Sequence, residues 1–201
     1  MSSGVPSQTA QAQKSQDTSA PDFKELGIEN TNIKTDSGVD LSGNQKVLVG
    51  SVLDLFAGRP SLKKLQLWKD DATFADPITK AEGRKQYEAQ WYGLQTAFSE
   101  IERLSYNVVS GGNPITMNLS TRYVVKGINT EQTIDSVVKI HTDAEGKHIT
   151  MVEDKWNGSI PEGPFTKVFR NLNSVVVPAF VSVPKNEEED RKKDSLRFFI
   201  E

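Results

Sequence analysis

Three side chains stand where a proton could be transferred. Asp76 directly precedes a proline at the end of the short run 72–75, a position from which a carboxylate commonly accepts the backbone amides of a turn. His141 alternates with the apolar residue Ile140, which places it on the opposite face of a predicted strand from the core. His148 lies beside a predicted turn and is expected to be exposed. A turn role is therefore the simpler interpretation of Asp76, and neither histidine is well placed as a base.

Other kinds of catalytic or binding centre find no support in the sequence. Cysteine is absent, which excludes thiolate nucleophiles, cysteine metal sites and a disulfide framework. The chain shows no metal-ligand constellation, no GxGxxG motif, no phosphate-binding loop and no serine-centred triad. Neither a metal nor a cofactor is expected. The net charge of -3 gives no concentrated basic face for nucleic acid.

Two helices are predicted before the short run that ends at Asp76. Ser42 followed by Gln45 forms a capping box, and apolar residues then recur on one face until glycine and proline stop the pattern. This pattern predicts a helix over residues 43–57. Ser61 can cap a short second helix, which we expect to end at Trp68.

The next segment is expected to contain a turn, a strand and a third helix. The charged residues 69–71 predict a turn, and residues 72–75 predict a short strand. Thr79 with Glu82 forms a second capping box, and aromatic and apolar residues follow it at helical spacing. The longest helix is therefore predicted over residues 81–98.

From Glu100 onward the apolar pattern changes from a helical period to a period of two. Alternating segments lie at residues 104–108, 117–125, 134–140 and 149–156, and turn residues separate them. Strands joined by tight turns predict an antiparallel meander. Three helices followed by such a sheet indicate an α+β layer architecture.

The order of these signals in residues 68–83, which read WKDDATFADPITKAEG, resembles a known signature. It is similar to that of the nuclear-transport-factor-2-like (NTF2-like) superfamily, which includes ketosteroid isomerase, scytalone dehydratase and the SnoaL-like polyketide cyclases. The resemblance covers roughly residues 42–158. It implies a cone-shaped fold in which three N-terminal helices pack on a strongly bent antiparallel sheet, with a ligand chamber at the open end.

The resemblance also implies a chemistry for Asp76. In the ketosteroid isomerase pattern, an aspartate in this place is the general base that moves a proton beside a carbonyl. Such a base needs donors for the developing oxyanion, and the pattern supplies them from a tyrosine on the first helix and a protonated acid on a late strand. Here Ser51 or Val52 takes the place of the tyrosine and Val138 that of the acid. Both donors are missing, and two histidines do not reproduce the scytalone dehydratase arrangement.

Aromatic side chains are candidates for a pocket lining because each offers an apolar body, and tyrosine and tryptophan add a polar tip. The same residues are equally well explained as core. Asp154 and the tryptophan two residues later resemble the strand ending common in the superfamily, where the tryptophan mostly packs. The pocket-lining candidates are Trp68, Trp91, Tyr92, Tyr106, Tyr123, Val138 and Trp156.

The two ends of the chain differ from the NTF2-like domain, which we expect over residues 41–160. Residues 1–40 are polar and predict a disordered leader, with docking of Leu26 and Ile28 as a short arm left open. Residues 161–184 predict an amphipathic helix with an extension, which covers either the chamber mouth or a subunit interface. Residues 185–201 are predicted to form a charged tail, in which residues 185–195 are either a solvated segment or an exposed helix. The helical stripe consists of Phe165, Val168, Phe169 and Leu172.

These observations leave three functions open. The favoured one is a SnoaL-like domain whose concave pocket binds a small apolar molecule or a protein partner without catalysis. The second is an isomerase, dehydratase or cyclase that acts on a hydrophobic carbonyl compound with Asp76 as base. The third is an oligomerisation scaffold, such as a homodimer. An intracellular, cytoplasmic protein is expected, without stable membrane anchoring, because no targeting segment or spanning apolar run is visible.

Overall fold

The chain folds as a mixed α+β structure. The structure is a computed structural model that describes residues 22–172 and 181–197. In chain order the elements are helix α1 (Gly43–Phe56), helix α2 (Leu62–Leu65), strand β1 (Trp68–Ala75), strand β2 (Lys80–Glu82), helix α3 (Arg84–Ala97), strands β3 (Phe98–Ser110), β4 (Ile115–Val125), β5 (Glu131–Thr142) and β6 (Ile149–Trp156), and helices α4 (Pro164–Leu172) and α5 (Glu187–Arg197).

The described strands form one six-stranded sheet in the order β2-β1-β6-β5-β4-β3. Strands β3 to β6 make the antiparallel meander that the alternating pattern predicts. Strand β1, however, pairs with β6 in parallel, so the expectation of a purely antiparallel sheet is wrong. The register shifts three times between β3 and β4, and irregularities of this kind bend a strand and increase its twist.

The segment between α2 and α3 differs from its sequence-based prediction. Trp68 begins β1 instead of ending a helix, and the charged residues 69–71 continue the strand through an irregularity in its pairing with β6. Thr79 forms no capping box, because its hydroxyl donates to Asp76 (2.9 Å) and residues 80–82 pair with β1. Helix α3 begins after Gly83, whose φ of 79° suits a glycine. Pairing with neighbouring strands overrides the local turn and helix signals here.

The core lies between α1, α3 and the inner face of the sheet. The capping box of α1 is present, since Gln45 N–H donates to Ser42 Oγ (3.2 Å) and Ser42 N–H donates to Gln45 Oε1 (2.9 Å). The buried face of α1 meets an aromatic cluster in which Trp91 of α3 contacts Phe56 and Phe74 at ring distances of 5.2 and 4.7 Å. This cluster forms the floor of the interior described below.

Residues 22–40 pack on the domain, which corrects the expectation of a leader that extends to residue 40. Ile28 is only 5% exposed. The fully buried Asp54 of α1 accepts the Glu29 N–H (2.9 Å) and forms ion pairs with Lys64 and Arg59, each at 3.0 Å. Burial alone would raise the pKa of Asp54, but Lys64, the Glu29 amide and Arg59 hold that pKa below its ordinary value. Residues 1–21 lie outside the described residues.

Part of the predicted charged tail is also docked. Residues 187–197 form α5, whose Asp190 is 8% exposed. Its carboxylate accepts the Tyr92 hydroxyl (2.6 Å) and the Leu62 N–H (2.8 Å). This segment is therefore the exposed helix that is one of the two alternatives, and one buried acid fixes it to α2 and α3. Residues 198–201 are not described.

No helix in the described ranges is both long and apolar enough to cross a bilayer.

Candidate functional site

A small interior cavity lies between α3 and the inner face of the sheet. Its volume is about 20 Å³, which is room for about one water molecule. The lining combines carboxyl groups with aromatic and apolar side chains. It consists of Phe56, Phe74, Asp76, Gln90, Trp91, Leu94, Tyr123, Ile134, Asp154 and Trp156.

Strand pairing brings the two carboxyl groups to adjacent positions. Strands β1 and β6 are parallel neighbours in which Ala75 is the partner of Glu153. Asp76 follows Ala75, and Asp154 follows Glu153. These two acids therefore lie side by side where the pairing of β1 with β6 ends. Both line the cavity.

Asp76 is held by the turn that follows β1. Its Oδ1 accepts the Ile78 N–H (2.8 Å), and its Oδ2 accepts the Thr79 hydroxyl (2.9 Å). Both oxygens therefore accept hydrogen bonds of the kind that is typical of an aspartate at a turn, one from the backbone and one from a side chain. Burial nevertheless raises the pKa of Asp76 to about 6, because the hydrogen bonds only partly offset the loss of hydration.

Asp154 is the more exceptional acid of the two. It is 6% exposed, and its Oδ2 accepts the Trp156 Nε1–H (2.8 Å). Its Oδ1 has no hydrogen-bond donor at ordinary distance and angle among the described residues, although the Ser136 hydroxyl interacts with the carboxyl group. Burial raises the pKa of Asp154 to about 7, and the nearby Asp76 raises it further, while Ser136 and Trp156 oppose the shift.

The sequence identifies Asp154 only as part of a strand ending, two residues before a tryptophan that mostly packs, and not as a site residue. One signal could have found it. Val152 and Asp154 are two residues apart on β6, so they share the inward face of the strand. Alternation alone therefore places an acid on the core side of the last strand, although it does not show that Asp76 lies beside it.

Helix α4 covers the side of the cavity at which Tyr123 and Trp156 lie. Phe165 is 2% exposed, and its ring centroid is 6.0 Å from that of Tyr123 and 6.4 Å from that of Trp156. This first residue of the predicted apolar stripe therefore packs on its own chain. The side chains of Phe169 and Leu172 are not among those that the structure describes.

The structure brings some of the predicted site residues together and separates others. Trp68 lies behind the cavity, 6.0 Å from Trp91 and 5.1 Å from Tyr87 between ring centroids. Tyr106 faces the N-terminal segment, where its hydroxyl donates to the Asn32 carbonyl (2.7 Å). The residues that reach the cavity are Asp76, Trp91, Tyr123 and Trp156; those that do not are Trp68, Tyr92, Tyr106 and Val138.

The donors that an oxyanion would need are not found at the positions that the ketosteroid isomerase pattern indicates. The Ser51 hydroxyl donates to the Leu48 carbonyl (2.8 Å) within its own helix, and Val138 is a buried core residue. His141 lies on the other face of β5 and contacts Glu153 at 2.9 Å. Within the described ranges, no group of three acidic or histidine side chains is arranged to hold a metal ion.

Comparisons with known proteins concern the fold. No family model matches this chain, and no curated protein matches it either. Among solved structures, the chain is similar to an NTF2-like protein of unknown function from Exiguobacterium, with 17% identity, a TM-score of 0.45, and coverage of 56% of this chain and 99% of that chain.

Two further structures carry more specific names. A protein from Shewanella putrefaciens described as a SnoaL-like polyketide cyclase has 13% identity and a TM-score of 0.47, and the match covers 56% of this chain and 79% of that chain. A steroid delta-isomerase from Pseudomonas aeruginosa has 14% identity and a TM-score of 0.46, over 81% of this chain and 99% of that chain. These names agree with the fold superfamily that residues 68–83 resemble. At such identities and TM-scores they carry no argument about ligand or activity.

Proposed function

We propose that this chain is a SnoaL-like, pocket-forming domain that encloses a small, mostly apolar molecule without transforming it. In this proposal the bulged sheet and α3 form a cone, and α4 covers its opening. One observation carries the proposal: five aromatic side chains and two carboxyl groups from five different elements and their flanking turns converge on one interior cavity. A cavity lined mainly by apolar groups with a few polar ones is the usual composition of a small-molecule site.

The surroundings of Asp76 favour binding over catalysis. Each carboxylate oxygen of Asp76 accepts one hydrogen bond, from Ile78 or Thr79, which fixes the group in the turn and leaves one further lone pair on each oxygen for a ligand. The oxyanion donors of the isomerase pattern, however, are missing at Ser51 and Val138. The arrangement supports recognition of a polar group on the ligand, with the apolar lining enclosing the remainder.

Entry of a ligand requires α4 to move. The cavity holds about one water molecule, whereas a molecule of even six or seven heavy atoms needs several times that volume. Phe165 is the side chain of α4 that packs against both Tyr123 and Trp156. Displacement of this ring would join the cavity to the space that α4 fills, and closure would then bury the ligand.

Titration with a neutral aromatic alcohol tests this proposal. The chain has three tryptophans, two of which line the cavity, so the indole N–H signals of Trp91 and Trp156 report binding by NMR and that of Trp68 is an internal reference. We expect 2-phenylethanol to shift the Trp91 and Trp156 signals, with at least about tenfold higher affinity for Phe165→Ala, because truncating a buried ring leaves an apolar cavity that such ligands fill. The exposed Ile160→Ala is the matched control. Binding that Phe165→Ala does not change would place the ligand elsewhere.

A second function has one observation in its favour. Burial raises the pKa of Asp76 to about 6, which is within the range where a carboxylate is an effective base near neutral pH. The corresponding activity would be proton transfer beside the carbonyl of a hydrophobic ketone. Deuterium uptake by 2-tetralone in D₂O, followed by NMR, distinguishes the two functions. Non-catalytic binding predicts the same rate with and without protein, whereas an acceleration that Asp76→Asn removes would establish the enzyme.

A further inference from the structure

Two acids line the cavity, and among the described residues no lining side chain could balance their charge. Asp76 and Asp154 both line it, and the lining contains no lysine, arginine or histidine within the described part of the chain. By contrast, the buried Asp54 has Lys64 and Arg59 at 3.0 Å, and the buried Asp190 accepts hydrogen bonds from Tyr92 and Leu62. A buried carboxylate is ordinarily paired, hydrogen-bonded or protonated, whereas the two cavity acids adjoin each other with no cation among the described residues that line the cavity.

One oxygen of this pair also lacks a close donor among the described residues. Asp154 is 6% exposed and lines the cavity, and no described residue donates a hydrogen bond of ordinary length and angle to its Oδ1; the Ser136 hydroxyl interacts with the carboxyl group but only partly offsets its burial. A buried acceptor without a hydrogen bond lowers the stability of the fold, because it has lost its hydration and gained no partner. A group that occupies the cavity and offers positive charge or a donor would satisfy this oxygen.

The remaining lining is suited to the apolar surface of a cation. Phe56, Phe74, Trp91, Tyr123 and Trp156 contribute aromatic rings, and the negative faces of such rings attract cations, most strongly when water is excluded. Carboxylates together with several aromatic rings are the combination that recognises alkylammonium groups. A neutral apolar ligand would use the rings and leave both acids without a counter-charge.

We propose that the molecule enclosed by this cavity is a small organic cation of the alkylammonium class, with its charge beside Asp154 and Asp76 and its alkyl groups against the aromatic rings. This inference rests on the proposed function, because it names the ligand of the same pocket. The cation supplies the counter-charge that the protein itself does not provide. Its desolvation cost is offset by two carboxylates and by the faces of the rings.

The affinity for such a cation should depend on pH. Among the described residues that line the cavity, the titratable ones are Asp76, Asp154 and Tyr123, and burial raises the pKa of all three. The tyrosine stays neutral over the working range. Since the acids are protonated at pH 5 and largely ionised at pH 8, a permanent cation should bind more tightly as the pH rises, by at least about tenfold over this interval.

Two molecules of the same shape provide the test. Choline and 3,3-dimethylbutan-1-ol differ by a charged nitrogen in place of a carbon, and each is titrated into the full chain and into Phe165→Ala while the Trp91 and Trp156 indole signals are followed. At pH 8 we expect choline to bind at least about tenfold more tightly than the alcohol, and this preference to shrink towards pH 5. Asp154→Asn should remove the preference and keep binding of the alcohol, whereas Asp135→Asn, an exposed acid on β5, should change neither.

The outcomes separate the inference from the proposal on which it rests. Equal or tighter binding of the alcohol at pH 8 overturns the cation assignment while the pocket function stands. Absence of binding by both molecules, to the full chain and to Phe165→Ala, rejects the pocket function itself and the assignment with it. A preference for choline that persists unchanged in Asp154→Asn and at pH 5 would show that the charge is recognised elsewhere, and this too would overturn the assignment.

Discussion

Asparagine in place of Asp154 should make the stability of this domain less sensitive to pH. In the wild type, burial raises the pKa of this carboxyl from 3.8 to about 7 in the folded state. Between these two values the folded protein keeps a proton that the unfolded chain has lost, so the free energy of unfolding falls as the pH rises. The side-chain amide of the Asp154→Asn variant has the same shape and does not titrate, so this pH-dependent loss would disappear.

The size of the effect follows from the two pKa values. Integrating the linkage relation between pH 5 and pH 8, with an unfolded value of 3.8 and a folded value of about 7, gives a wild-type loss of about 2.5 kcal/mol. Other titrating groups contribute to both proteins. Asp54, whose pKa is lowered, has the opposite sign, because its contribution is present above its unfolded pKa and is lost on acidification. The contributions of groups that do not interact with Asp154 cancel when the two proteins are compared; Asp76, which raises the pKa of Asp154, is the exception.

Urea denaturation of the wild type and Asp154→Asn at pH 5, 6, 7 and 8, followed by tryptophan fluorescence, measures the difference directly. The stability of the variant relative to the wild type should increase steadily with pH, by about 2.5 kcal/mol in total. Asp135→Asn, which changes an exposed acid on a neighbouring strand, should show the wild-type pH dependence. If the curves of the wild type and Asp154→Asn stay parallel within about 0.5 kcal/mol, Asp154 ionises as freely as a solvated acid and the buried-acid argument fails.

Three further experiments test the remaining structural arguments. Asp76→Ala should lower the free energy of unfolding at pH 5 by about 1 to 3 kcal/mol, because it removes the acceptor of the Ile78 N–H and the partner of the Thr79 hydroxyl; unchanged stability with lost ligand binding would contradict the turn role. Tyr92→Phe and Asp190→Asn, combined in a double-mutant cycle, should show a coupling of about 1 to 3 kcal/mol if α5 is docked as described, and none if it is not. Gly50→Ala places a Cβ on the Asn30 carbonyl oxygen, so limited trypsin digestion should cut residues 22–40 faster in the variant than in the wild type.

The sequence predicts the elements whose signals are local. Ser42 and Gln45 are three residues apart, and the capping box that they form depends only on their own helix. The strands β3 to β6 are equally readable, because alternation between core and solvent imposes a period of two along each strand. Even the turn role of Asp76 follows from its position before a proline, since both hydrogen-bond partners lie within three residues.

Contacts between distant segments of the chain cannot be predicted from such local signals. Residues 22–40 and α5 are polar in composition and predict disorder or a tail, yet one buried acid at each contact holds them: Asp54 accepts from Glu29, and Asp190 accepts from Tyr92 across 98 positions of the chain. Composition measures how much apolar surface a segment can bury. It does not measure whether a single side chain finds its hydrogen-bond partners elsewhere in the fold.

The candidate site shows the same division. The sequence by itself determined the residue types, an acid before a proline and an acid before a tryptophan, together with the strands on which they lie. Only the tertiary structure decided that β1 and β6 pair in parallel, which puts Asp76 next to Asp154 and leaves Asp154 Oδ1 without a hydrogen-bond donor at ordinary distance and angle among the described residues. The reason is physical: local patterns arise from neighbours a few residues apart, whereas the burial and charge of a site depend on which distant strands and helices come together around it.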